Sequence, residues 1–209
     1  MGNGKREAGD NVSIEISSIV PALTCLTLRL ILLNKLLEDG NTLYKKSKLS
    51  EASHRYSYAV KRIPDKNLGH HEKVFQQLKI HLLLNLSRCK RKMKEYSEAV
   101  KLAGQVITLH PLCYEAYHAR AKAQHSAGHL EEALADLTEA VKVAPQNREL
   151  HKILLALKEE IHNKPSPLPD SLLGDSKDGE EKESTSGIGS GSSREGSNKE
   201  FDTDHVIMV

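Results

Sequence analysis

The sequence predicts an all-α protein: a right-handed solenoid of three helical hairpins, closed by a C-terminal capping helix and followed by a disordered acidic tail. Three observations predict it. A beat of small and apolar residues recurs with internal offsets of four, three and five: Ala52-Tyr56-Ala59-Pro64, Ala99-Ala103-Val106-Pro111 and Ala133-Leu137-Ala140-Pro145. From Ala99 to Ala133, and again from Pro111 to Pro145, the step matches the period of about 34 residues typical of a stacked helix-turn-helix unit. Tryptophan is absent and aromatic residues make up only 4% of the chain, so the core must be built from Leu, Ile, Val and Ala, as close helix-helix packing favours.

The elements follow in order. Residues 1–32 form an N-terminal segment, polar and disordered at first, with an apolar helix from about residue 19 that either caps the first hairpin or belongs to a neighbouring domain outside this chain. The apolar run Val20–Leu33 is short and is interrupted by Pro21, two threonines and Arg29. It falls well below the length of a membrane span, which needs about 20 apolar residues. It also lies too late, without a small-residue cleavage signal, to be a secretory leader. The hairpin domain occupies residues 33–163. Its repeats cover about 33–66, 80–113 and 114–147, with helix pairs expected at about 33–46 and 49–62, 71–93 and 96–110, and 114–127 and 130–143.

Each position in the beat has a physical reason. The alanines let antiparallel helices approach, the larger residue fills the groove between them, and proline, lacking an N–H donor, ends the second helix. Ahead of each leading alanine, at one fixed offset, stands another small residue, Gly40, Ser87 or Ala121, where the first helix must pass close to its partner. The turns hold Ser47, Lys94 and Gly128, and an apolar plug follows each: Leu49, Tyr96 and Leu130. Between Pro64 and Pro111 the step is longer, so the second unit exceeds the usual period by about 13 residues. Asn147 caps a last helix, 147–162, with Leu150, Ile153, Leu154, Leu157 and Ile161 on one stripe, as a solenoid end requires. Residues 164–209 are rich in Ser, Gly and Glu and too poor in apolar groups to offset the entropy of ordering.

The net charge of +2 conceals a division. After Lys164 there are four Lys/Arg against ten Asp/Glu, a net −6, which leaves 26 against 18, or +8, for residues 1–164. Cys25, Cys89 and Cys113 are odd in number and lack C-x-x-C spacing, pointing to a reducing compartment and a cytoplasmic protein rather than a disulfide framework or zinc site. Eleven histidines are scattered without acidic or thiol partners at ligand spacing. The glycines of the tail follow no strand and open no helix, so they do not form a nucleotide loop. No catalytic residue, metal or cofactor is assigned.

The repeating pattern is that of the tetratricopeptide repeat, and the resemblance extends from about Leu33 to Asn163. A narrower resemblance lies in LNLSRCKRKM (84–93), YEAYHARA (114–121) and NREL (147–150), which, with the long insertion, resemble the tetratricopeptide block of the TANC and rolling pebbles scaffold family. That resemblance implies a postsynaptic or cell-cortex scaffold. It also implies that this chain, lacking the ankyrin string TPLHxA, is a fragment, a short isoform or an incomplete gene product, and that it ends in a PDZ ligand. The ending Ile207-Met208-Val209 places Ile207 and Val209 at alternate positions, though the family ordinarily has Ser or Thr where Ile207 stands.

In tetratricopeptide solenoids the first helices line a concave groove. Carried onto this sequence, the groove-facing residues are Asn34, Leu37, Glu38, Asn41 and Lys45; His81, Leu84, Asn85, Arg88, Arg91 and Lys92; and Glu115, His118, Ala119, Lys122 and His125. Asn41, Asn85, Arg88, Arg91, His118 and Lys122 are the expected peptide-binding set. The function so implied is a scaffold or adaptor that binds partner proteins, with acidic peptides or PDZ-domain scaffolds as partners. The alternative is an Hsp70/Hsp90 co-chaperone. Asn41 and Asn85 match that clamp, but Leu37, Glu115 and Ala119 stand at its cation positions. Lys90, Arg91, Lys92 and Lys94 form a basic cluster without interleaved aromatics, which disfavours nucleic acid.

Overall fold

The computed structural model describes residues 8–66 and 68–163, with side chains from Cys25 onward. The described residues form seven α-helices and no strand: α1 Ala8–Lys45, α2 Leu49–Val60, α3 Glu72–Lys92, α4 Tyr96–Leu109, α5 Tyr114–Ser126, α6 Leu130–Val143 and α7 Arg148–His162, with a single 3-10 turn at Gly69–His71 before α3. Each helix packs on the next in sequence, and α3 also touches both α1 and α5, so the first helices of the three hairpins share one layer. The expected helical-hairpin solenoid is the observed architecture.

The beat is the core. Ala52, Tyr56, Ala59, Ala99, Ala103, Val106, Ala133, Leu137 and Ala140 are all fully buried. Ser87, one of the small residues on the first helices, donates its hydroxyl across the hairpin to the Ala99 carbonyl at 2.8 Å. Buried side chains from α1 to the start of α5 form one cluster, and those from Ala121 to Leu157 form a second under α7. At α4 and α6 the proline acts through the residue before it. His110 and Ala144 have left the helix, at φ −145° and −128°, because a following proline ring disfavours the helical region.

The three hairpin turns share one chemistry despite different residues. Ser47, Lys94 and Gly128 all have positive φ, at 59°, 64° and 86°. In the first turn, Ser47 N–H donates to the Tyr44 carbonyl and Lys48 N–H to Leu43; Lys94 and Glu95, and Gly128 and His129, repeat the same pair of bonds. This left-handed C-cap satisfies carbonyls that a helix end otherwise leaves without partners.

The extra residues of the second unit are shared between helix and linker. α3 has 21 residues where α5 has 13, so more than half of the insertion lengthens the helix. The added turns are packed: Phe75 and Leu78 are buried, and Gln76 Nε2 donates to the Leu109 carbonyl at 3.3 Å.

At the amino end the structure departs from expectation. The apolar helix starts at Ala8 rather than near residue 19 and continues without a break into the first hairpin. Residues 8–18 contain no proline, and Asp10 is acidic in the first turn, where a helix start favours negative charge. Nor does this segment cap the hairpin on all sides: Leu26 and Leu30 pack on the core, while Leu28, Ile31 and Leu32 face outward.

Candidate functional site

The inner layer is built around a buried hydrogen-bond chain. Tyr56 Oη donates to Asn41 Oδ1 at 2.7 Å, and Asn85 Nδ2 donates to the same oxygen at 3.1 Å. Arg88 Nη1 then donates to Asn85 Oδ1 at 2.8 Å. The order follows from packing: asparagines facing the seam between α1 and α3 are cut off from water, so their amides need partners inside the fold. Asn41 and Asn85 are 7% and 1% exposed. They act as supports that fix the Arg88 guanidinium.

Next to this chain opens a cleft of about 470 Å³, walled by α3 and α5 and closed by the start of α7. Arg88 and Arg91 line it from α3, Glu115, His118 and Lys122 from α5, and Asn147, Glu149 and Leu150 from α7. The spacing explains the convergence. Arg88 and Arg91 are three apart, and His118 and Lys122 four apart, so each pair projects from one helix face. Lys122 is only 4% exposed, a cation held largely out of water at the cleft wall. Three cations therefore face two carboxylates, Glu115 and Glu149. Burial lowers the pKa of His81, Arg88 adding to the effect and Glu115 opposing it, which keeps the ring neutral near pH 7.

Of the six residues expected to bind peptide, the structure brings four to this cleft: Arg88, Arg91, His118 and Lys122. Asn41 and Asn85 are not among its lining residues. Leu37, at one clamp cation position, is buried at 2% exposure. Ile207 and Val209 lie outside the described residues.

Sequence reasoning missed two features. The α7 wall is one, because the apolar stripe of a capping helix shows which face is buried and not what its polar start, Asn147 and Glu149, lies against. The other is the pair in which Arg120 bonds Asp136 with both arms, Nε to Oδ2 at 2.7 Å and Nη2 to Oδ1 at 2.6 Å, tying α5 to α6. An acidic residue immediately before the core Leu137 was its only signal. On the other side of the solenoid a second cleft, of about 760 Å³, has Leu86 and Leu102 among its lining and mixed charges at its edges. Among the described residues no helix is long and apolar enough to cross a membrane, and no three His, Cys, Asp or Glu side chains are placed to hold a metal.

Comparison with known proteins agrees with the fold. Residues 114–147 match the tetratricopeptide repeat family model. Peptidyl-prolyl cis-trans isomerase FKBP42 of Arabidopsis thaliana is 31% identical over 126 residues, covering 58% of this chain and 34% of that protein. The chain spans about a third of the length of the curated relatives it matches. Among solved structures, the first tetratricopeptide domain of Spaghetti (RPAP3), bound to the HSP90 peptide SRMEEVD, superposes with a TM-score of 0.52 at 22% identity, covering 62% of this chain and 93% of that one. The Hsp90 co-chaperone Cns1 of Saccharomyces cerevisiae gives a TM-score of 0.54 at 21% identity, covering 63% and 39%. The described residues have the fold of a tetratricopeptide-repeat solenoid, and residues 114–147 carry the repeat itself. The narrower resemblance to the TANC scaffolds is not supported by these matches, nor are its corollaries, a PDZ-scaffold partner and a postsynaptic or cell-cortex location. Two of the strings that carried it, LNLSRCKRKM and YEAYHARA, run along α3 and α5, where buried residues such as Leu84, Asn85, Ser87, Ala116 and Ala119 are already constrained by packing.

Proposed function

We propose that this tetratricopeptide solenoid is a protein-interaction module whose α3–α5–α7 cleft holds an acidic peptide segment of its partner. The observation that carries the reading is the convergence of Arg88, Arg91, His118 and Lys122 on one cleft, with Arg88 held in place by Asn85. A carboxylate entering there meets preorganised donors, and hydrogen bonds to charged partners are roughly twice as strong as neutral ones. No catalytic role is assigned to the cleft. The isomerase named among the relatives is about three times as long as its matched region, and its activity is not transferred to this chain.

A second reading, a co-chaperone that binds Hsp90 or Hsp70 carboxyl-terminal peptides, is favoured by the peptide seen with the RPAP3 domain. Here the peptide would be displaced toward α5 and α7, because Asn41 and Asn85 are engaged with Tyr56, Arg88 and each other.

Fluorescence polarisation tests both readings. Labelled SRMEEVD, its carboxyl-amidated form and a scrambled internal acidic peptide are titrated against the wild type, R91E and R88E/K122E, each checked for helicity by circular dichroism. The module reading expects both acidic sequences to bind the wild type and to lose at least tenfold in R91E. Equal binding by wild type and folded variants removes the cleft. Loss of binding on amidation favours the co-chaperone.

A further inference from the structure

We infer that the acidic segment 170–183 of this chain occupies the α3–α5–α7 cleft when no partner is bound, so that the module carries its own competitor. This rests on the cleft being the peptide site. The charges are complementary. The segment holds Asp170, Asp175, Asp178, Glu180, Glu181 and Glu183 against Lys177 and Lys182, a net −4, and it leaves a body of net +8. The cleft supplies Arg88 and Arg91 from α3 and His118 and Lys122 from α5.

The segment is also within reach. The cleft lies at the start of α7 and the tail leaves from its end, so the distance to recover is the helix itself, 15 residues or about 22 Å at 1.5 Å per residue. Between Asn163 and Lys177, at the middle of the segment, lie about 14 residues, and a flexible chain of that length has a root-mean-square span of about 20 Å, from about 5–6 Å times the square root of residue number. Linker and span match, the condition under which an intramolecular ligand reaches its greatest effective concentration, on the order of millimolar. At about 1 mM effective concentration, a segment with an intrinsic Kd of about 0.1 mM would weaken an external ligand roughly tenfold. The later acidic residues, from Glu195 on, are more dispersed and about 20 residues further away, so their effective concentration is lower.

The opposing charges in the cleft fit this role. Glu115 and Glu149 keep the site from binding every polyanion tightly and leave the segment's two lysines a place to lie. The contact is therefore weak enough for a partner to displace, and because Arg88 and Arg91 are only half-buried it fades as salt shortens the screening length below about 8 Å.

The test uses the full chain and its neutralised variant D170N/D175N/D178N/E180Q/E181Q/E183Q. Amide NMR spectra of the two should differ at residues 88–91, 114–122 and 147–150 at low salt, and the difference should vanish at 0.5 M salt. The labelled SRMEEVD peptide should bind the neutralised variant two- to tenfold tighter. Unchanged amide signals in the cleft overturn the inference whether or not the external peptide binds, and so does a measurable affinity for that peptide that is equal in the two proteins. If the cleft signals change but no external acidic peptide binds either protein, the internal contact stands and the partner reading falls.

Discussion

Tyr56 lies against Gly40 so closely that a Cβ at residue 40 would stand 2.4 Å from the Tyr56 Cε1 atom, while the phenol hydroxyl donates to the neighbouring Asn41 at 2.7 Å. One aromatic side chain on α2 thus requires the absence of a side chain at one position of α1 and fixes the next residue. Gly40→Ala gains helix propensity, about 0.5–1 kcal/mol. It must also move a fully buried ring, and overpacking of this kind costs about 1–3 kcal/mol. A lower melting temperature is expected in G40A, partly restored in G40A/Y56L. A more stable G40A would contradict the contact.

The same ring predicts an alkaline signature. Burial, with the Cys89 thiol adding and Arg88 opposing, holds the Tyr56 phenol well above the ordinary tyrosine range. A group whose folded pKa is raised contributes stability in full below its unfolded pKa, about 10, and loses it as pH climbs beyond. As pH rises past 10, absorbance near 295 nm should show the Tyr56 phenol ionising only as the fold opens, with Tyr114, which burial also raises, ionising above the ordinary tyrosine range. Y56F should lose less stability over that interval than the wild type, although at pH 7 it is weaker by about 1 kcal/mol for the lost bond. Ionisation of the Tyr56 phenol near pH 10 with the fold intact, seen as the absorbance difference between wild type and Y56F, would refute this.

Much of the fold was legible because the beat is a packing requirement written in residue size: alanine at a helix crossing and proline after the second helix leave the same trace in every unit. The ends of the hairpins were legible for the same reason. The start of α1 was not, because residues 8–18 lack a periodic stripe and nothing in their composition forbids a helix. For the site, Arg88, Arg91, His118 and Lys122 could be placed by register on first helices. Whether an asparagine on those helices faces a ligand or a neighbour depends on partners contributed from elsewhere in the chain. Asn41 is satisfied by Tyr56, 15 positions on, and Asn85, 44 positions on. No local pattern carries that information.

The turn residues give a prediction with opposite signs in related positions. Lys94, at φ 64°, holds a conformation in which a Cβ costs about 1–2 kcal/mol and glycine costs none. Its side chain is exposed. Lys94→Gly should raise stability by about 0.5–1 kcal/mol, and Gly128→Ala, at φ 86°, should lower it by about 1 kcal/mol or more. Chemical denaturation of the two variants checks the pair, and a destabilised K94G would show that the Lys94 side chain matters more than its backbone.

At the third crossing, Ala133 is fully buried, and Leu in its place adds three carbons where α6 meets the first helix of its own hairpin. Overpacking should cost about 1–3 kcal/mol. The cost is local to the second core cluster, so amide exchange should accelerate in α5, α6 and α7 before it does in α1 and α2. An unchanged melting temperature in A133L would place the crossing elsewhere.

Arg120 and Asp136 provide the last test, because they separate the structural face of α5 from its binding face. Arg120 lies between His118 and Lys122 in sequence, yet its guanidinium turns away from the cleft to grip a carboxylate on α6 whose side chain is only 7% exposed. Removing the arginine strands that carboxylate in a site with little water. Loss of one partner of a fully buried pair costs about 3–5 kcal/mol, and the 28% exposure of the Arg120 side chain reduces this to about 2 kcal/mol. Asp136→Asn keeps one acceptor oxygen and should cost about 1 kcal/mol. In a double-mutant cycle, R120A/D136A should be destabilised by less than the sum of R120A and D136A, since each single change already breaks the pair. Below the melting temperature R120A should still bind an acidic peptide within about twofold of wild type, the tolerance expected when no direct contact is lost. A tenfold loss of binding in folded R120A would mean that Arg120 serves the cleft itself, and additive energies in the cycle would mean that the two arms of the bond contribute nothing measurable.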